Sequence, residues 1–452
     1  MEKAFDAAVI GSGSAGMQAA FTLRRHGWSV AVIDERPFGG TCALRGCDPK
    51  KVLVHAARVV DEAQRLTGIG VLAGVPSISW PDLIRFKRSF TDPIPEERLR
   101  SLADAGITAL HGRAAFEDDQ TLAVNGERIR CKHAVIASGA HELHVARGDD
   151  LLLTSETFME MERMPQSLVF VGGGYIAFEL AHVAARAGAQ VTILNNDAHP
   201  LGGFDPQAVA RVLEISREIG ITIHLDMPVD SVERDGEGVL VHASPEGGAQ
   251  TFRAHAGVLA AGRVPALETL DLERAGVERT KKGVKVNEFL QSASNPRIYA
   301  AGDAADAGAL ALTPIAAYTG ELAAQNLLSG NTRKAGYEGL ATMVYTIPPL
   351  GSLGITEAKA RERGMDVEIR ADDMTDWYST RHVAGRGAWY KTITEKRSGK
   401  LVGATILGPH AEEQINVLAL AMRHSLDAHA ISETLFAYPT GSSDLEYLVD
   451  NS

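Results

Sequence analysis

The chain has 452 residues, 45% hydrophobic and 23% charged, the balance of an ordinary soluble globular protein. At about 100–200 residues per domain, that length predicts two to four domains. A net charge of −12 argues against nucleic acid or an anionic membrane surface as the main partner, and three cysteines exclude a secreted disulfide scaffold.

The N-terminus, Met1-Glu-Lys-Ala-Phe-Asp, opens directly into a strand-like run and leaves no room for a signal peptide. No apolar run reaches the ~18 residues of a membrane span, so a cytoplasmic chain without membrane contact is expected. Ala7-Ala-Val-Ile10 reads as a strand. It ends in Gly11-Ser-Gly13-Ser14-Ala-Gly16 and continues into a helical pattern from Met17 to His26. Ser29 to Ile33 is a second strand, closed by Asp34, 23 residues after Gly11. Glycines that follow a strand and open a helix aim backbone N–H groups and the helix dipole at a pyrophosphate. A carboxylate at Asp34 suits the two ribose hydroxyls.

A second copy starts at Ser167 to Val171, followed by Gly172-Gly-Gly174-Tyr175-Ile176-Ala, a helix from Phe178 to Ala187, and the strand Gln190 to Leu194. Two such units predict two dinucleotide sites on separate Rossmann-like domains. Here the ribose-reading position holds Asn195 and Asn196. An acidic residue there favours NAD and an arginine favours NADP; two neutral amides leave the choice open. Between the units, Thr121 to Ala137 alternates like a β-meander, and Pro314 to Leu328 forms a long Ala-rich helix. From about Ala341, strands near Tyr390–Ile393 and Leu401–Ile406 and the amphipathic helix Glu412–His424 suggest a third, α+β domain.

The strongest feature is Gly39-Gly40-Thr41-Cys42-Ala-Leu-Arg-Gly-Cys47-Asp-Pro-Lys50-Lys51. Two cysteines five apart at a helix start can close a small disulfide ring, and a helix N-terminus with nearby lysines lowers a thiolate's pKa. A zinc half-site or two structural thiols are the other readings. A zinc site needs four ligands, and neither Cys131 nor a suitably spaced His completes one, so no metal site is expected. Cys131 reads as a small buried hydrophobe.

These segments, with Ala137-Ser138-Gly139, Gly172–Glu179, Gly262-Arg263-Val-Pro265 and Ala301-Gly302-Asp303, resemble the pyridine nucleotide-disulfide oxidoreductase family of glutathione reductase, dihydrolipoamide dehydrogenase and mercuric reductase. The resemblance implies an α/β homodimer of two Rossmann-like domains and a C-terminal α+β dimerisation domain. The segments expected are 1–150 for FAD, 151–264 for NAD(P), 265–335 continuing the FAD domain, and 336–452 for the interface. The implied cofactors are FAD and NADPH or NADH. Gly11, Gly13, Ser14, Gly16, Asp34, Glu35, Gly40, Thr41, Lys51, Ala137, Ser138, Gly139, Arg263, Gly302 and Asp303 would hold FAD, Asp303 through the ribityl chain. Gly172, Gly174, Tyr175, Ile176, Asn195 and Asn196 would hold the nicotinamide nucleotide. Tyr175 would cover the flavin until nicotinamide displaces it, and Lys50 or Lys51 would pair with Glu179. Cys47 would be the charge-transfer thiolate beside the flavin and Cys42 the interchange thiol.

The family carries a C-terminal His-Pro-Thr-x-x-Glu that serves the partner subunit. Here Tyr438 replaces the His and Ser443 the Glu, with Asp444 one residue late. An imidazole titrates near ~6.5 and a phenol near ~10, so the acid–base group for ordinary disulfides is changed. The C-terminal cysteine pair of mercuric reductases is also missing. The expected activity is electron transfer from NAD(P)H through FAD and Cys42/Cys47 to a small-molecule acceptor other than glutathione. Quinone, metal or oxygen reduction, or a family variant with non-disulfide chemistry, is the alternative. A redox sensor is disfavoured by the intact motifs.

Overall fold

The computed structural model describes residues 3–449, which divide into two compact units. The first gathers residues 3–51, 85–143 and 262–336, and the second residues 52–84, 144–261 and 337–449.

The first unit is built on β1 (Lys3–Ile10), which lies between β2 (Val30–Asp34) and the strand Glu127–Ile136, parallel to both. Ala7 to Ile10 are buried on both faces, as a central parallel strand requires. Thr108–His111 extends the sheet beyond β2. Thr121–Val124 and Ala114–Phe116 add the antiparallel meander, and Ile298–Ala300 pairs with the end of Glu127–Ile136. The stretch 265–335 thus returns to the first sheet. The helix α1 (Ser14–Arg25) buries Ala15, Met17, Ala19, Ala20 and Leu23 and carries Arg24 and Arg25 in its last turn, where they complement the helix dipole. It packs closely on the helix Thr313–Ser329, where a Cβ on Gly320 would stand 2.1 Å from the carbonyl oxygen of Ala15.

In the second unit, Ser167–Val171, Gln190–Leu194, Thr222–His224 and Ala256–Leu259 form a four-stranded parallel sheet. The helix Tyr175–Arg186 follows its first strand and buries Ala177 to Ala184. The third expected element is also present: a five-stranded antiparallel sheet, Ala341–Val344, Leu350–Gly354, Leu401–Leu407, Trp389–Glu395 and Val367–Asp373 in spatial order, covered by the helix Ala411–Arg423. Buried charges knit this unit. Lys391 pairs with Asp205 at 2.8 Å, and Asp61 accepts from Arg186 at 2.6 Å. Among the described residues no helix is long and apolar enough to cross a membrane.

Candidate active site

The first glycine turn is shaped by contact. Gly11 has φ +106°, and a Cβ there would stand 2.2 Å from the carbonyl oxygen of Ala137. Ser12, fully buried, ties the turn to its surroundings. Its N–H and hydroxyl both donate to Asp34 Oδ2, at 2.8 and 2.6 Å, and its Oγ accepts the N–H of Gly39. Asp34 Oδ1 accepts from the N–H of Arg36. The carboxylate expected at the ribose therefore also braces the turn. Glu35 is exposed and pairs with Arg113 at 2.8 Å.

The residues fit a dinucleotide such as FAD. The N-cap of α1 is Gly13, with no side-chain cap and no acidic residue in the first turn, so its N–H groups are left to an anion. Ser138 Oγ is buried without a hydrogen-bond partner among the described residues. Gly302 donates its N–H to Thr319 Oγ1, which fixes Asp303 at the end of the strand Ile298–Ala300. Burial pushes the Asp303 carboxyl up, against the pull of Arg263. Arg263 is itself bound to the carbonyl of Ala140.

Gly39 and Gly40 carry the chain from this turn into α2 (Gly40–Arg45). Gly40 has φ +71° and a Cβ on it would stand 2.3 Å from Gly13 Cα, so only glycine brings the redox segment this close. Thr41 and Cys42 lie in α2, and Cys47 starts α3 (Cys47–Gly68). Both cysteines are free thiols, Cys47 exposed and Cys42 half-buried. The hydrogen bond between the two sulfurs acts in opposite directions. It draws Cys47 down, and with Thr313, Lys50 and Lys51 it outweighs burial, to about 6. It pushes Cys42 far up, together with burial. In the reduced pair the proton therefore favours Cys42 and the negative charge favours Cys47. Cys131 is buried and pushed up to about 12 by burial, which leaves it inert.

The second glycine turn, in the second unit, repeats the design. Gly172 sits 2.3 Å, by its would-be Cβ, from the carbonyl oxygen of Ala260, and Gly174 caps the helix Tyr175–Arg186 without a side-chain bond. Tyr175 is exposed at that helix start, and Ile176 is half-buried. Asn195 is buried. Its amide donates to the carbonyl oxygen and Oδ1 of Asp197, so of the two expected ribose readers only Asn196 is exposed. Glu179 is buried, and its Oε1 accepts the N–H of Tyr345 at 2.8 Å.

Near the C-terminus Tyr438 is 77% exposed and its ring lies 6.2 Å from that of Tyr378, which stacks on His382. Ser443, expected where the family has Glu, is a local cap: its hydroxyl donates to the carbonyl oxygen of Thr440 and its N–H to Thr440 Oγ1. Asp444 is pushed up by burial and is hydrogen-bonded to Ser379. Sequence reading passed over Ser12, Asp48, Thr313 and Thr319. None stands in a spacing that marks it; only the folded contacts reveal them.

Two glycine turns opening helices and a dithiol of split proton affinity define a flavin- and nicotinamide-type oxidoreductase. Residues 5–320 match the pyridine nucleotide-disulphide oxidoreductase family, and residues 340–448 match its dimerisation domain. The chain belongs to this family, and it is an NAD(P)H-dependent flavoprotein oxidoreductase with the α/β architecture expected. It is 32% identical to a mercuric reductase of Streptomyces lividans, over 98% of this chain and 95% of that one, and 31% identical to a glutathione reductase of Burkholderia cepacia, over 96% of each. Among solved structures it resembles a Cu(II) complex of the HOCl-induced flavoprotein disulfide reductase RclA from Escherichia coli, with a TM-score of 0.88, 27% identity and 99% of both chains covered. The family implies FAD and a nicotinamide nucleotide, and the dimerisation domain supports a homodimer.

Proposed function

We propose that this enzyme passes electrons from NAD(P)H through Cys42 and Cys47 to a thiophilic metal ion, with Cu(II) foremost, rather than to glutathione disulfide. The observation that carries this reading is the split dithiol, Cys47 exposed and Cys42 half-buried, in a chain whose expected C-terminal imidazole is Tyr438. A metal ion needs no protonation of a leaving thiolate, whereas a disulfide does. Thiolates also suit soft metal ions, Cu(I) among them. The Cu(II) complex of the RclA enzyme and the mercuric reductase of S. lividans support a metal acceptor. When bound, FAD supplies two-electron exchange between the nicotinamide and the cysteine pair. The residues proposed to hold it are those of the first glycine turn with Asp34, Ser138, Arg263 and Asp303; those of the second turn, with Asn196, hold the nucleotide.

The acceptor step balances as follows. The Cys42 thiol and the Cys47 thiolate form one S–S bond and release two electrons and one proton. Two Cu(II) ions take one electron each and become two Cu(I). The test is NADPH- and NADH-driven Cu(II) reduction, read with a Cu(I)-selective chelator, for wild type, Cys42→Ser and Cys47→Ser. Turnover is expected in wild type and a loss of at least a hundredfold in each variant. Cu(II) reduction that survives Cys42→Ser would remove the dithiol from the path, and rapid glutathione disulfide reduction by wild type would reverse the choice of acceptor.

A further inference from the structure

Asp48 follows Cys47 in the first turn of α3, and its Oδ1 lies 3.7 Å from Cys42 Sγ as the acceptor of that thiol's S–H. Asp48 and Cys47 are exposed and Cys42 is half-buried. The groups acting on the two sulfurs divide between them. Lys50 and Lys51 favour charge on Cys47; charge on Cys42 is opposed first by Cys47 and by burial, and Asp48 is the carboxylate that adds to them.

We infer that Asp48 holds the proton on Cys42 in the reduced enzyme, so that the acceptor-side thiol stays capped until an acceptor displaces that proton. A carboxylate that accepts a hydrogen bond from a thiol stabilises the neutral form twice over, by the bond and by repelling a second negative charge. The pair thereby acquires a polarity within a single chain, with the proton on Cys42 in α2 and the charge on Cys47 at the start of α3. A weak electrophile at neutral pH does not open the cap, because it meets the thiol and not the thiolate. Asp48 is thus a positioning residue for the redox pair. The inference rests on the proposed function only in taking Cys42 as the thiol that meets the acceptor.

The experiment is iodoacetamide alkylation of the reduced, FAD-containing enzyme across pH 5–10, with Cys42 and Cys47 resolved by peptide mass. Wild type, Asp48→Asn and Asp48→Glu are compared. In Asp48→Asn, Cys42 alkylation at pH 7 is expected to be three- to tenfold faster, equivalent to about one pKa unit at most. Cys47 is expected to move less, Asp48→Glu to stay near wild type, and 1 M salt to narrow the difference by screening. Equal Cys42 profiles in wild type and Asp48→Asn would overturn the inference. So would a larger shift at Cys47 than at Cys42, which would place the carboxylate's influence on the other sulfur. Flavin content of each variant reports that the fold is retained. An enzyme that leaves Cu(II) untouched would refute the acceptor reading, while the alkylation profiles would still decide the role of Asp48.

Discussion

The Thr313 hydroxyl lies 3.7 Å from the Cys47 sulfur, although the two residues are 266 apart in sequence. Thr313 opens the helix Thr313–Ser329, and that helix is seated by the close approach of Gly320 to α1. The contact is therefore set by helix packing in the first unit and not by the cysteine spacing alone.

Thr313→Val is expected to raise the Cys47 midpoint above its value of about 6. The sign follows from the bond: a hydroxyl that bonds the thiolate favours the charged form, and its loss favours the thiol. At pH 7 a thiol titrating at about 6 is roughly 90% thiolate, and a one-unit rise brings that to about half. The pH titration of the long-wavelength charge-transfer absorbance in the two-electron-reduced enzyme measures this directly. An unmoved midpoint would leave Thr313 as a packing residue only.

Nucleotide preference is expected to be modest in wild type, within about tenfold, or ~1.4 kcal/mol. Asn195 is buried and bonded to Asp197, so the change belongs at the exposed Asn196. Asn196→Arg should favour NADPH through a charge-assisted bond to the 2′-phosphate. Stopped-flow reduction of the enzyme by NADH and NADPH measures the ratio. A wild-type preference of a thousandfold would show that other residues read the phosphate.

These two sites show what was legible in the sequence. The two βαβ units were readable because their signals are local: apolar runs such as Ala7–Ile10, buried on both faces, followed by glycines at a helix start. The cysteine pair was readable from spacing, and the C-terminal α+β element from the strand-like runs Tyr390–Ile393 and Leu401–Ile406, which fall within the strands Trp389–Glu395 and Leu401–Leu407. The neighbours that tune these features were not. Ser12 bonds Asp34 across the turn, and Thr313 reaches Cys47 from a distant helix. Asn195 and Asn196 are adjacent and chemically identical, yet one is buried and the other exposed. Such distinctions arise from tertiary contact, which residue type and spacing do not encode.

The second unit carries a buried ion cluster that predicts acid sensitivity. Asp61 accepts from Arg186 at 2.6 Å, from Arg65 at 2.9 Å and from Arg386 at 3.1 Å. Burial pushes its carboxyl up, but Arg186 and Arg65 hold it below the usual range. A lowered folded-state pKa contributes stability above the unfolded value of ~3.9 that is lost as pH falls below it. Asp61→Asn leaves the three guanidiniums without their shared anion and should cost about 3–5 kcal/mol at pH 7. Urea unfolding of both proteins at pH 7 and at pH 3.5 checks this. The difference should shrink at the lower pH, and a variant as stable as wild type at pH 7 would show that the cluster contributes nothing.

Tyr438 separates the two acceptor classes. It is 77% exposed, its ring lies 6.2 Å from Tyr378, and we propose that it stands where the family has its acid–base imidazole. If a disulfide were the acceptor, the departing thiolate would need a proton, and the Tyr438 hydroxyl would be the group to give it. Tyr438→Phe would then slow disulfide turnover by the ~10²–10⁴ typical of lost acid–base catalysis. With a metal acceptor no leaving thiolate forms, and Tyr438→Phe should leave Cu(II) reduction within about twofold of wild type. Phe keeps the ring beside Tyr378, so stability should change little, which separates loss of the hydroxyl from loss of packing. Tyr438→His, by restoring an imidazole, should raise whatever glutathione- or lipoamide-type activity the enzyme has. Parallel assays of wild type, Tyr438→Phe and Tyr438→His with Cu(II) and with a simple disulfide decide between the classes. The metal reading predicts that the Phe variant keeps its metal activity; a hundredfold loss of Cu(II) reduction in that variant would mean that the phenol takes part in the acceptor step itself.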